Sequence, residues 1–308
     1  MRVPDFFVVG APKCGTTALY SYLRDHPRIF MPERKEIHYF CDDLNFPKRS
    51  AIRDWTEYLD LFIGATSDMR IGETSASYLY SDVAIHNIMN ANSNAKLIAI
   101  LRNPVDMAYS FHAQLLSNLN EDTNDFSKAW SLQESRQNGV NIPKYCTEPK
   151  FLQYKSVCCF SSQITRLMQS AGGRDNVLIV IFENFAREPR IVYERILDFL
   201  DLPSDGRTSF PKVNANMAYR SALLNRLVRR PPGPVDALYS TMKRGANALG
   251  LRPRRLLERI NAQRTPRAKL DADFRRHLEA EFAPDIERLE AILGCKLDAW
   301  RSHDGSSH

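Results

Sequence analysis

The residues with the most chemistry in their spacing lie between Gly10 and Thr17, in the run GAPKCGTT. Two glycines and a proline surround a lysine, and paired threonines close the run. A hydrophobic stretch precedes it and a helical pattern follows. Backbone N–H groups in such a loop wrap an anion, and the following helix points its positive end at the same spot. Pro12, Lys13, Cys14, Gly15, Thr16 and Thr17 are the members of this cradle. Lys13 adds a mobile charge and the threonines add hydroxyl donors. The order differs from the triphosphate loop G-x-x-x-x-G-K-[ST], because Lys13 precedes Gly15 instead of following it. A βα turn with incidental glycines is the plainer alternative.

Two further stretches carry reactive residue types. Arg102 closes the run KLIAIL, and Ser110 lies eight residues on, about two helical turns. Open α/β sheets bind ligands at the carboxyl ends of their strands. An arginine there, with a hydroxyl on the next helix, can clamp a second phosphate through charge-assisted bonds. A surface ion pair is the alternative. In MPERKEIHYF, Glu36 and His38 share a face if the chain is extended. A carboxylate beside an imidazole is a usable acid–base pair. The alternative is a charged loop ahead of an aromatic anchor at Tyr39 and Phe40.

The elements that must position these residues alternate in type. Residues 5–10 read as a buried parallel strand, and Thr16 to Arg24 as a helix. Residues 54–62 and 82–90 have helical spacing, and 70–73 form a weak strand signal. Lys96 to Leu101 is a second buried strand. A helix follows, with Asn103 as its cap and Pro104 at its first position. A helix over about 150–170 leads to a third strand, Val177–Phe182. A helix over 188–201 turns Ile191, Ile196, Leu197 and Leu200 to one side. This pattern predicts an α/β fold, a P-loop-like three-layer arrangement with a central parallel sheet flanked by helices. No strong strand signal follows Pro203. The last long helix, Asp271 to Leu293, holds Pro284, which should kink or split it. Residues 1–300 read as one domain with a helical C-terminal part, and 301–308 as a disordered tail.

Composition sets the class. The chain has 308 residues, 44% hydrophobic and 25% charged, enough for a sizeable core in an ordinary globular protein. No apolar run approaches the roughly 18 residues of a membrane span, and no signal peptide is visible. The expectation is a cytoplasmic protein, or a soluble catalytic domain trimmed of an anchor. The six cysteines lack paired C-x-x-C spacing, so they read as reduced thiols without a zinc site. The net charge of +6 is uneven: Arg220 to Lys269 holds 13 Lys/Arg against Asp236 and Glu258. That run is either a solvated helical surface or a peripheral contact for an anionic polymer or membrane. Few aromatics interleave with it, which argues against nucleic acid.

Taken together, FFVVGAPKCGTTALYSYLRDHP, KEIHYF, GETSASYLY and KLIAILRNPVDMAYS closely resemble the sulfotransferases that use 3′-phosphoadenosine 5′-phosphosulfate (PAPS). Within them the resemblance is to the carbohydrate branch, which includes the heparan sulfate sulfotransferases and bacterial relatives. It is dense over residues 5–40, good over 72–110, and looser to about residue 300. It implies sulfonate transfer from PAPS to a hydroxyl of a saccharide, glycolipid or small metabolite, without a metal, leaving 3′-phosphoadenosine 5′-phosphate (PAP). Lys13 matches the lysine at the leaving phosphate and sulfonate. Arg102 and Ser110 match the pair that binds the 3′-phosphate. Glu36 falls on the catalytic base and His38 on its neighbour. Burial of Glu36 would raise its pKa toward neutrality. GETSASYLY departs from the E-K-S-x-x-Y of the heparan enzymes: Thr74 stands where their substrate-contacting lysine would be, while Ser75 and Tyr78 fit as acceptor contacts. The basic loop over the adenine is not recognisable; Arg264 and Arg267 occupy the comparable place. Two alternatives stay open. One is a P-loop phosphotransferase with Glu183 as a magnesium-side acid. The other is a non-catalytic module for an anionic polymer or membrane.

Overall fold

Five short apolar stretches form one parallel sheet in this computed structural model, which describes residues 2–47, 50–211 and 268–301 and the backbone of 217–219 and 262–264. Its strands are β1 (Phe6–Gly10), β2 (Ile29–Phe30), β3 (Arg70–Thr74), β4 (Lys96–Leu101) and β5 (Val177–Ile181), in the order β2-β3-β1-β4-β5. The inner strands β1 and β4 are apolar on both faces because helices cover both. At the edge, β5 alternates between buried and partly exposed positions. The two-residue edge strand β2 has no apolar run long enough to signal it. A separate antiparallel ribbon pairs β6 (Met217–Tyr219) with β7 (Ala262–Arg264), beyond the point where strand signals end.

The helices are α1 (Thr16–Arg24), α2 (Trp55–Asp60), α3 (Ala84–Ala91), α4 (Pro104–Ser117), α5 (Phe126–Ser131), α6 (Gln133–Gln137), α7 (Tyr154–Cys158), α8 (Phe160–Ser170), α9 (Phe182–Arg187), α10 (Pro189–Phe199) and α11 (Ala272–Leu293). Asn103 caps α4 as its sequence predicts: its side-chain oxygen accepts from the N–H groups of Val105 and Asp106, and Pro104 occupies the first turn. Tyr22 of α1 packs edge-on against Phe185 of α9 and Tyr193 of α10. Among the described residues, α11 packs on α8 and α4, and α4 on α7.

Three local expectations change. The helix over 150–170 is a 3-10 turn at Pro149–Leu152 followed by α7 and α8, broken at Cys159. The break exists because Asp285 of α11 reaches in and accepts from the N–H of Phe160 at 2.6 Å and of Ser161 at 3.3 Å, capping α8 from outside. Pro284 does not split α11, which runs unbroken from Ala272 to Leu293. Its missing N–H leaves one carbonyl unpaired within the helix, while burial of Leu278, Phe282 and Leu289 holds the two halves in line. Ile191 is 63% exposed, because α10 buries the face of Tyr193, Ile196 and Leu197 instead.

The topology sets where a ligand can bind. From β1 the chain goes to β2 and β3 on one side, then crosses to β4 and β5 on the other. Strand order reverses beside β1, and in open α/β sheets ligands bind at the carboxyl ends of the strands beside such a reversal. The loop after β1, Thr74 at the end of β3 and Arg102 just after β4 all lie at that end.

Candidate active site

The anion loop leaves β1 through a tight approach. A Cβ at Gly10 would stand 2.6 Å from the Leu79 Cβ, so no larger residue fits. The Ala11 N–H donates to Ile100 at 2.7 Å and fixes the start of the loop on β4. Lys13 (φ 65°) and Gly15 (φ 88°) both take the left-handed conformation. Such alternation turns successive N–H groups inward, as an anion nest requires. At Gly15 a Cβ would also meet the Phe182 ring at 3.0 Å. Thr16 and Thr17 form the first turn of α1, whose positive end faces the loop. Cys14 differs from expectation as a ligand contact. Its side chain is fully buried, with Sγ 3.3 Å from the Pro12 carbonyl and 3.7 Å from the Met107 sulfur. Only its backbone can meet a ligand, and burial drives the thiol pKa up, away from reaction with alkylating reagents.

Arg102 forms no ion pair among the described residues. Its guanidinium lies over the Phe182 ring at 4.8 Å and donates to the Lys13 carbonyl at 3.3 Å. Its Nε is buried and has no hydrogen-bond partner among the described residues. A buried N–H of a permanent cation without an acceptor is costly, so this geometry suits an anion at that place. Ser110 is buried on α4, two turns beyond the strand end.

The third segment is neither extended nor a plain charged loop. Glu36 (φ 60°) and His38 (φ 57°) both adopt left-handed backbone, which non-glycine residues rarely do. Two such residues, separated only by Ile37, need a surrounding structure that over-determines them. The Glu36 N–H donates to the Thr74 carbonyl at 2.9 Å, and one Glu36 carboxylate oxygen accepts from the Ala76 N–H at 3.0 Å. The other accepts from Lys35 Nζ at 2.6 Å. His38 Nε2 stands 3.8 Å from the Glu36 carboxylate, and its ring stacks on Phe46 at 3.8 Å. The His38 pKa falls to about 4, because burial and the nearby Lys35, Arg53 and Arg34 charges outweigh the pull of Glu36. His38 is therefore neutral at pH 7. The expected rise of the Glu36 pKa does not occur. Burial pushes it up, but the Lys35 ammonium, the His38 ring and the Ala76 N–H outweigh that and hold the carboxyl below its ordinary range.

What over-determines the loop is a buried carboxylate. Glu73, fully buried near the end of β3, accepts from the hydroxyls of Ser75 at 2.7 Å, Tyr78 at 2.8 Å and Tyr58 at 2.8 Å. Two of those hydroxyls in turn accept from the loop backbone. Ser75 takes the N–H groups of Ile37 and His38, and Tyr78 those of Tyr39 and Phe40. Four consecutive N–H groups thus hang from two side chains seated on one carboxylate. Arg53 closes the other side by donating to the carbonyls of His38, Tyr39, Cys41 and Leu44. Burial lifts the Glu73 pKa to about 7 against its three hydroxyl bonds. Ser75 and Tyr78 are completely buried and Thr74 is 1% exposed, so all three side chains expected at the acceptor are closed off from solvent, those of Ser75 and Tyr78 beneath the loop. Thr74 contributes its backbone carbonyl, while its hydroxyl oxygen is buried and unpaired among the described residues.

Sequence reasoning missed Lys35, Glu73, Tyr58 and Arg53. Only Lys35 left a signal, as a lysine directly before the candidate base. Its Nζ also lies 3.3 Å from both the Thr16 and the Thr17 hydroxyl, so it joins the anion loop to Glu36. Glu183 is engaged elsewhere, accepting from the Asn103 N–H at 3.0 Å and from Trp300 Nε1 at 2.8 Å. Both its oxygens serve packing at the start of α4, which removes the reason to read it as a magnesium ligand. For Arg264 only the backbone, in β7, is described; Arg267, most of the basic run and residues 302–308 lie outside the described residues. Arg301 is tied down by Glu290 at 2.9 Å. All six cysteines are free.

A protein-family model described as "Sulfotransferase domain" matches residues 3–221. The chain belongs to the sulfotransferase domain family. A solved sulfotransferase from Alicyclobacillus acidocaldarius aligns over 98% of this chain and 100% of its own, with a TM-score of 0.72 and 27% identity. Human bifunctional heparan sulfate N-deacetylase/N-sulfotransferase 3 is 36% identical over 118 residues, 36% of this chain and 13% of the relative. Human carbohydrate sulfotransferase 15 is 30% identical over 164 residues, 40% and 29% respectively. The membrane-associated sulfotransferase kil1 of Dictyostelium discoideum is 32% identical over 108 residues, 35% and 22%. The chain thus spans under a third of each of these three relatives. No helix among the described residues is long and apolar enough to cross a membrane.

Proposed function

We propose that this sulfotransferase moves a sulfonate from PAPS to a hydroxyl of a saccharide, glycolipid or small metabolite, with Glu36 as general base. The observation that carries the reading is the placement of the Glu36 carboxylate against the anion loop, joined to Thr16 and Thr17 through one lysine nitrogen. A base so close to a phosphate cradle suits attack by a hydroxyl on a group held in that cradle. PAPS supplies a sulfonate on a phosphate leaving group, so the bond to the acceptor oxygen forms as the bond from sulfur to the phosphate oxygen breaks. Lys13, Gly15, Thr16 and Thr17 would hold its 5′ end and steady the charge that grows there. Arg102, whose buried Nε–H has no partner among the described residues, and Ser110 would take the 3′-phosphate. Glu36 takes the proton of the attacking hydroxyl. Neutral His38 packs beside Glu36 and does not compete for that proton at pH 7.

The names of the relatives support a saccharide acceptor. The Lys13 position and the engagement of Glu183 disfavour a magnesium-dependent phosphotransferase. Ser75, Tyr78 and Glu73 act in this reading as supports of the base loop and not as acceptor contacts. The test is transfer from labelled PAPS to a panel of hydroxyl and amino acceptors by the wild-type protein and Glu36→Gln. Loss of a general base is expected to lower turnover by about 10²–10⁴-fold with PAP binding retained. Near-normal turnover of the variant with a hydroxyl acceptor would refute Glu36 as the base.

A further inference from the structure

Lys35 is where the two halves of the site meet. Its ammonium has three N–H donors, and three oxygens surround it: Glu36 at 2.6 Å and the hydroxyls of Thr16 and Thr17 at 3.3 Å each. Two features of this placement pull against each other. The first turn of α1 carries the positive end of the helix dipole, and a lysine set against it is repelled. The same first turn and the loop before it are shaped for an anion. In this structure Lys35 gives its charge to the Glu36 carboxylate. The Lys35 bond also holds Glu36 below its ordinary pKa, and a carboxylate so stabilised is a poor proton acceptor at neutral pH.

Both tensions disappear if Lys35 changes partner. We propose that Lys35 is a positioning residue shared between the base and the donor, exchanging its bond to Glu36 for one to the donor's 5′ anion. Before the donor is bound, Lys35 keeps Glu36 ionised and oriented. Once it turns to the donor, Glu36 loses its strongest stabilising partner and gains affinity for the acceptor's proton. The base is thereby strengthened only in an enzyme already holding its donor. The side chain is 17% exposed, so it needs no large rearrangement to serve an anion lying on Thr16 and Thr17. This inference rests on the donor reading above, and it adds a coupling between donor binding and base strength.

The coupling is testable without turnover. PAP affinity is measured by calorimetry in the wild type, Lys35→Met, Glu36→Gln and the double variant. Lys35→Met is expected to weaken PAP about tenfold, the loss of one charge-assisted bond. Glu36→Gln is expected to tighten PAP several-fold, because the lysine is no longer held by a carboxylate. In the Lys35→Met background the same Glu36 change should leave PAP affinity nearly unchanged. Equal tightening in both backgrounds would mean plain charge repulsion between Glu36 and PAP, and would overturn the exchange. So would a Lys35→Met protein that binds PAP as the wild type does. No PAP binding by the wild type would overturn the donor reading itself, a distinct result. If Lys35→Met fails to fold, Lys35→Gln takes its place in the cycle. A second readout is the acid limb of the pH profile. In the wild type the limb for kcat should lie at higher pH than the limb for kcat/KM of the donor, and coincident limbs would contradict the exchange.

Discussion

Replacing Glu73 perturbs the base loop without touching the anion loop, which makes it the sharpest probe of how this site is held. Glu73 is fully buried, accepts three hydroxyls, and has its pKa raised from an ordinary 4.5 to about 7. The sign of its pH effect follows from that direction. Between pH 4.5 and 7 the folded protein keeps a proton on Glu73 that the unfolded chain has released. Its contribution to stability is therefore fully present below pH 4.5 and is lost as pH rises through 7. The shift corresponds to about 3 kcal/mol. His38 works the opposite way: its pKa is depressed to about 4, so stability rises with pH from 4 to its unfolded value near 6.5. The clean readout is the difference between wild type and Glu73→Gln, followed by urea unfolding at pH 5, 6, 7 and 8. Relative to wild type, the variant should gain about 2.5 kcal/mol between pH 5 and 8, the part of the shift that lies inside that range. Glu73→Leu goes further and leaves the hydroxyls of Ser75, Tyr78 and Tyr58 without their acceptor. A displacement of the Glu36 loop by about 1 Å would lower kcat by about 10²-fold while PAP affinity holds. Parallel stability profiles of wild type and Glu73→Gln, or a Glu73→Leu enzyme with unchanged kcat, would refute the argument that Glu73 anchors the base.

Gly15→Ala forces a side chain into a φ of 88° and toward the Phe182 ring, so PAP affinity should drop at least tenfold in calorimetry while the rest of the fold persists. Arg136→Met strands Glu121, which is fully buried and paired bidentately at 2.6 and 2.8 Å; urea unfolding at pH 7 should show a loss of about 3–5 kcal/mol.

The parts of this molecule that local pattern controls are legible in the sequence. Strands β1 and β4 announce themselves as apolar runs, and the Asn103–Pro104 cap states where α4 begins. The lysine, glycine and threonine order after β1 places an anion site at a strand end. What could not be read depends on contacts between distant segments. Asp285 breaks a helix more than a hundred residues away by capping Phe160, and no local signal at Cys159 foretells it. Hydroxyls such as Ser75 and Tyr78 near a site suggest acceptor contacts. Their burial under residues 37–40 follows from Glu73, whose role depends on the pairing of β3 with β1. The extended reading of Glu36 and His38 failed because both lie in left-handed backbone, a conformation that sequence does not flag for either residue. The pKa of Glu36 lies below its ordinary range, not above it, because the adjacent Lys35 turns its ammonium onto the carboxylate and outweighs burial.

The central question is whether the loop end of β1 recognises a nucleotide carrying a 3′-phosphate. Calorimetric titration of PAP, set against ADP and against ATP with magnesium, measures this directly. The wild-type protein should bind PAP at least tenfold more tightly than either, and Arg102→Ala should weaken PAP about a hundredfold with little change for ADP. Binding of ATP with magnesium as tight as that of PAP, or a PAP affinity indifferent to Arg102, would contradict it.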